Sequence, residues 1–157
     1  MSSNPVDVLL VEDNPADARL VEEALKGEEP LVTLHVADDG PSAQRFLRRE
    51  EPYADAPRPD LVILDLRLPG KDGMQLLAEI KGTPSLMRIP VAVFSDSRVE
   101  EDILKAYELK ANCYITKPTD LDQFTEVVRS IHRFWFTVVM LPPSEHGTGG
   151  RHANAWG

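Results

Sequence analysis

A chain of 157 residues, 42% hydrophobic and 27% charged, has the length of one domain and enough apolar content for a core, which excludes global disorder and collagen-like structure. Its 17 Lys and Arg face 26 Asp and Glu, and the formal charge of -9 disfavours nucleic acid and anionic lipid surfaces as partners. The single cysteine, Cys113, cannot form an internal disulfide, and neither a leader-like N-terminus nor a run of about 18 apolar residues occurs, so a cytoplasmic location and no membrane partner are expected.

The first apolar run, 6–11, is rich in Val and Leu without strict alternation, as suits a strand covered on both faces, and it ends in Glu12-Asp13. Residues 15–26 then place Ala18, Val21, Ala24 and Leu25 at helical spacing, with Asn14 as N-cap, Pro15 in the first turn and Gly27 as the stop. The 31–37 segment alternates and suits a sheet edge, and 40–49 offers Ala43, Phe46 and Leu47 to a second helix. Pro52, Pro57 and Pro59 mark 51–59 as an extended connection. A strand at 61–64 ends in Asp65 and is followed by a helix at 73–81, built on Leu76, Leu77 and Ile80, with Gly82 after it. The run 91–94 ends in Ser95, and 99–109 carries Ile103, Ala106 and Tyr107 on a helical face. A last strand at 113–115 passes through Thr116 into Lys117-Pro118, and a long helix at 121–136 presents Leu121, Phe124, Val128, Ile131 and Trp135. From Pro142 apolar spacing vanishes, so 1–141 is expected as the domain and 142–157 as a flexible tail. Five strands alternating with five helices read as a doubly wound α/β domain.

In an open parallel sheet, ligands bind beyond the carboxyl ends of the strands. Glu12, Asp13, Asp65, Ser95 and Lys117 all fall there. Carboxylates confined to one rim repel one another unless a cation neutralises them, and a site of carboxylates, a carbonyl such as that of Arg67, and waters suits Mg²⁺. Lys117 adds a point charge and Ser95 a donor, which together suit a phosphoryl group. A lone Asp at a strand end more often caps the next helix, as Asp13 before Asn14-Pro15 illustrates, and isolated Lys and Ser residues are mostly solvated surface. Their recurrence at the ends of successive strands favours chemistry. His35, His132, His146 and His152 show no ligand spacing and are expected on the surface.

These residues carry a family resemblance. Val8-Leu9-Leu10-Val11-Glu12-Asp13-Asn14, the run Leu61-Val62-Ile63-Leu64-Asp65-Leu66-Arg67-Leu68-Pro69-Gly70, and Ile115-Thr116-Lys117-Pro118 resemble the receiver domain of two-component response regulators over about residues 5–141. More narrowly, Asn112-Cys113-Tyr114-Ile115-Thr116-Lys117 and the late Phe134-Trp135-Phe136-Thr137-Val138-Val139-Met140-Leu141-Pro142 resemble the small phytochrome-associated regulators. The resemblance implies a flavodoxin-like (βα)5 sandwich of strand order 2-1-3-4-5. It also implies phosphoryl transfer from a sensor histidine kinase to Asp65, and the narrower resemblance implies a phytochrome as that kinase. Mg²⁺ would be held by Glu12, Asp13, Asp65 and the Arg67 carbonyl. Lys117 would pair with Asp65 and then with the phosphoryl oxygens, Ser95 would donate to the phosphoryl group, and Tyr114 would be the switch aromatic that follows Ser95 inward. Lys117–Pro118 is expected to be cis, the isomer that only X–Pro bonds adopt cheaply. Arg67 and Ser97 are where such domains tune the lifetime of the phosphoryl group.

One residue departs from the pattern. Asp96 stands where receivers usually have a small residue, and a carboxylate there is expected to slow acceptance from small phosphodonors. Three successive aromatics, Phe134, Trp135 and Phe136, cannot all face one core, so at least one is expected outside, where with Val138-Val139-Met140-Leu141 it would support a homodimer through the last helix and its extension. A stand-alone regulator signalling by protein contact, and not an enzyme, is the resulting expectation. Two other readings remain: an aspartyl-phosphate phosphohydrolase, which needs an Asp where Arg67 stands, and a degenerate receiver acting by constitutive contact.

Overall fold

Five parallel strands form one sheet in the order β2-β1-β3-β4-β5 in the computed structural model, which describes residues 4–143. In chain order the elements are β1 (Val6–Val11), α1 (Pro15–Leu25), β2 (Val32–Ala37), α2 (Gly40–Arg48), β3 (Leu61–Leu64), α3 (Gly73–Gly82), β4 (Val91–Ser95), α4 (Glu100–Glu108), β5 (Cys113–Thr116) and α5 (Leu121–Arg133). This is the doubly wound, flavodoxin-like architecture expected from the sequence. Alternate side chains of the central strands feed two separate cores. Leu9, Val62, Leu64, Val91 and Val93 meet Leu77 and Ile80 of α3 in one, while Val8, Leu10, Ile63 and Phe94 meet Phe124, Val128 and Ile131 of α5 in the other. Burial on both faces explains why β1, β3 and β4 read as continuous apolar runs, and the half-exposed β2 lies at an edge as its alternation predicts.

Register brings the strand ends to a common rim. Val11 pairs with Ala37 and with Leu64, Leu64 with Val93, and Ser95 with Thr116. Glu12, Asp65, Ser95 and Lys117 therefore leave the sheet side by side. Local signals set the helix starts next to that rim: Asn14 Oδ1 accepts from the N–H groups of Ala16 and Asp17, and Asp72 caps α3 in a reciprocal box with Gln75.

Three expectations are corrected. The last helix is not a single α-helix to 136: α5 ends at Arg133 and a π-helical segment, Phe134–Val138, continues it. There Thr137 Oγ1 donates to the Arg133 carbonyl and Val139 N–H reaches back to the Phe134 carbonyl, so side-chain and i to i+5 bonds replace the α ladder. His132, expected on the surface, is buried, its ring against Phe136 and its Nε2 2.8 Å from the Pro30 carbonyl oxygen. An imidazole on the inner face of α5 is accepted there because the connection between α1 and β2 supplies that carbonyl. The Lys117–Pro118 bond is trans, the cis bonds of the described residues being Glu29–Pro30 and Glu51–Pro52. The expected tail beyond Pro143, with His146 and His152, lies outside the described residues.

Candidate functional site

Lys117, at the end of β5, is the hub of the rim. Its Nζ donates to Glu12 Oε1 at 2.7 Å, to Asp17 Oδ2 at 2.8 Å and to Asp65 Oδ2 at 3.0 Å. Burial alone would lower the ammonium's pKa, but the hydrogen bonds to Asp17 and Glu12 and the charge of Asp65 outweigh it and hold Lys117 above its ordinary value. It is a permanent cation. Glu12 lies next to it with only 2% of its side chain exposed. Burial first, then repulsion from Asp65, pushes the Glu12 pKa up to about 7 against the opposing pull of Lys117.

Asp65 is supported from several directions. Its Oδ1 accepts from the Arg67 N–H at 3.3 Å while Oδ2 faces Lys117, so both oxygens are oriented. The Gly73 backbone passes directly under it: a Cβ there would lie 2.5 Å from the Asp65 carbonyl oxygen and from Leu66 Cα, so only glycine lets α3 start this close. Gly73 N–H donates to the Leu66 carbonyl and ties the acceptor loop down.

Carboxylate oxygens of Glu12, Asp13 and Asp65 lie within 4.8 Å of one another. Asp13 is exposed and opens the cluster to water. Three carboxylates, those of Glu12, Asp17 and Asp65, thus share one ammonium, and Asp13 adds a fourth beside Glu12 and Asp65. An all-oxygen donor set that is short of positive charge fits a hard divalent cation, and the Arg67 backbone borders it. Arg67's side chain is exposed, and its main-chain N–H is what meets Asp65.

Ser95 is fully buried at the end of β4, and its Oγ accepts from the Ser97 N–H at 3.2 Å. Ser97 is a junction: its carbonyl accepts from the Tyr114 hydroxyl at 2.8 Å and its own hydroxyl donates to Asp102 Oδ2 of α4 at 2.6 Å. The Ser95 loop, Tyr114 and the start of α4 are therefore one connected unit. Asp96 projects to solvent beside this loop. Phe134 is 48% exposed, while Trp135 and Phe136 pack against the α5-side core, which divides the aromatic triplet as expected.

Two residues of the site were not read from the sequence. Asp17, in the first turn of α1, reaches the rim through its contact with Lys117. Gly73 looked like a helix start. The spacing of Asp17 four residues after Asp13, on a helix that begins at the rim, was the available signal.

A family model described as "Response regulator receiver domain" matches residues 8–129. Response regulator Rcp1 of Synechocystis sp. is 46% identical over 141 residues, covering 90% of this chain and 96% of that protein. The crystal structure of its Mn²⁺-bound form is similar with a TM-score of 0.85, covering 88% of this chain and 99% of that one. The crystal structure of the phosphorylated cyanobacterial phytochrome response regulator RcpA is similar with a TM-score of 0.86 at 47% identity, again covering 88% and 99%.

Proposed function

The chain belongs to the response regulator receiver family, and from that premise we propose that Asp65 accepts a phosphoryl group from a sensor histidine kinase of the phytochrome type. The observation that carries the reading is the Asp65 carboxylate held 3.0 Å from a permanently charged Lys117 beside an oxygen-only cation cluster. An Asp65 oxygen attacks the phosphorus of the donor's phosphohistidine, the P–N bond breaks with its electron pair returning to the imidazole, and an acyl phosphate remains. Lys117 neutralises charge on the transferred oxygens, and Glu12, Asp13, Asp65 and the Arg67 carbonyl would hold Mg²⁺. When bound, that ion supplies charge neutralisation to the phosphoryl oxygens.

The readout follows from the connected unit around Ser97. A phosphoryl oxygen draws the Ser95 hydroxyl toward it, and Ser97 carries the motion to Tyr114 and Asp102, which re-poses α4 and β5. Output is then protein contact. We place a homodimer on the last helix and its extension, where Phe134 and the 68%-exposed Val138 leave apolar surface open. Light scattering of Phe134→Ser with Val138→Ser should give a monomer where the parent gives a dimer.

Intact-protein mass spectrometry after treatment with acetyl phosphate and Mg²⁺ tests the central claim. One added phosphoryl mass, absent in Asp65→Asn and in chelator, is expected. No addition from acetyl phosphate or from a phosphorylated histidine kinase would leave the degenerate-receiver reading. Asp96→Ala should accept from acetyl phosphate faster than the parent, and equal rates remove the role given to Asp96. A phosphohydrolase reading lacks its second Asp, since Arg67 occupies that place with its side chain in solvent.

A further inference from the structure

Lys117 has three ammonium protons, and each meets a carboxylate, those of Glu12, Asp17 and Asp65. With 3% of its side chain exposed, the lysine has no spare donor and no ready access to water. A phosphoryl group on Asp65 inherits the proton that Asp65 now accepts, and because its oxygens can take more than one donor, it competes with the other two carboxylates for theirs. The three carboxylates are not equal in what they lose. Glu12 is 2% exposed and would be left as a buried anion without its cation, which is costly. Asp65 bears the phosphoryl group itself. Asp17 keeps 22% of its side chain in solvent, stands outside the Glu12, Asp13 and Asp65 cluster, and lies in the first turn of α1, where the helix dipole favours a carboxylate. It can exchange the ammonium for water at least cost.

We propose that Asp17 is a positioning residue that holds one proton of Lys117 in reserve and surrenders it to the phosphoryl group on Asp65. The inference rests on the phosphoacceptor reading and adds a regulatory role to it. Asp17 steadies Lys117 between Glu12 and Asp65 before transfer, and by competing for the same N–H it weakens the phosphorylated state. Its release also frees the first turn of α1, the helix that packs on α5.

Beryllofluoride, a stable phosphoryl mimic, provides the test. Its dissociation constant is measured with saturating Mg²⁺ by calorimetry for the full chain, Asp17→Asn, Asp17→Glu and Glu22→Gln, the last removing one exposed carboxylate from the same helix. Asp17→Asn should bind about tenfold more tightly, the worth of one charge-assisted hydrogen bond returned to the ligand. Asp17→Glu should stay near the parent because a carboxylate is still available to Lys117, and Glu22→Gln should change little. A urea melt of each variant separates a packing effect, which would lower stability without tightening the mimic. Unchanged or weaker binding by Asp17→Asn overturns the proposal, and so does equal tightening by Glu22→Gln, which would reduce the effect to bulk charge. Failure of the parent to bind the mimic or to accept a phosphoryl group would sink the phosphoacceptor reading, and this inference with it.

Discussion

Replacing Lys117 with methionine keeps most of the side-chain volume and removes the cation that Glu12, Asp17 and Asp65 share. Glu12 and Asp65 are nearly closed to solvent, and deleting one partner of a buried ion pair costs about 3 to 5 kcal/mol because the remaining charge stays uncompensated. For a domain of this size each kcal/mol lowers the Tm by about 2 to 4 °C, so a fall of about 6 to 20 °C is expected. Urea and thermal melts in chelator, which prevents a divalent ion from substituting for the ammonium, measure it. The sign of the pH dependence is fixed by Glu12. Its folded pKa of about 7 is raised above the ordinary 4.5, so its protonated form favours the fold and stability falls as pH rises through that range. Without the pull of Lys117 the pKa rises further, so the variant's deficit should be largest at pH 8 and shrink at pH 6. A deficit below about 1 kcal/mol at pH 8, or one that does not change with pH, would refute the claim that the rim is held together by this lysine.

Gly73→Ala should destabilise by about 1 to 3 kcal/mol and slow phosphoryl acceptance, because the new methyl meets backbone atoms that no rotamer change can move; a urea melt and acetyl phosphate kinetics read both effects. Asp39→Ala removes the side chain that accepts from Ser42 N–H at 2.7 Å at the start of α2 and should cost about 1 kcal/mol at pH 7. Backbone and side-chain hydrogen bonds from Ser42 lower the Asp39 pKa, so that difference should persist above the ordinary carboxylate range and vanish as pH falls below it. Burial raises the Cys113 thiol pKa, so alkylation by iodoacetamide at pH 8 should be slower than in the urea-unfolded chain, and equal rates would contradict the packing of Cys113 against the α5-side core.

Much of the site is legible along the chain because each strand delivers its chemistry within one or two residues of its own end. Glu12-Asp13, Asp65, Ser95 and Lys117 terminate apolar runs, and a parallel register aligns such ends whatever the loops between them do. Asp17 is different in kind. It and Lys117 are 100 residues apart in sequence, and nothing local to α1 says that a buried ammonium will arrive from β5. His132 differs from its expected place for a similar reason: a polar residue on an amphipathic helix reads as exposed until a distant carbonyl, that of Pro30, satisfies it.

Hydrophobic period and capping chemistry act over a few residues, so five alternating strands and helices, the two-sided burial of β1, β3 and β4, and the Asn14 start of α1 are all legible along the chain. Family motifs extended that to the strand order. The sharing of charge at the rim, the room that Gly73 leaves for Asp65, and the widening of the chain after Arg133 into a π-helical segment with Phe134 outward emerge once the chain is folded. Those outcomes depend on which groups meet across the fold and on how much water each one loses there, and both are properties of the assembled chain.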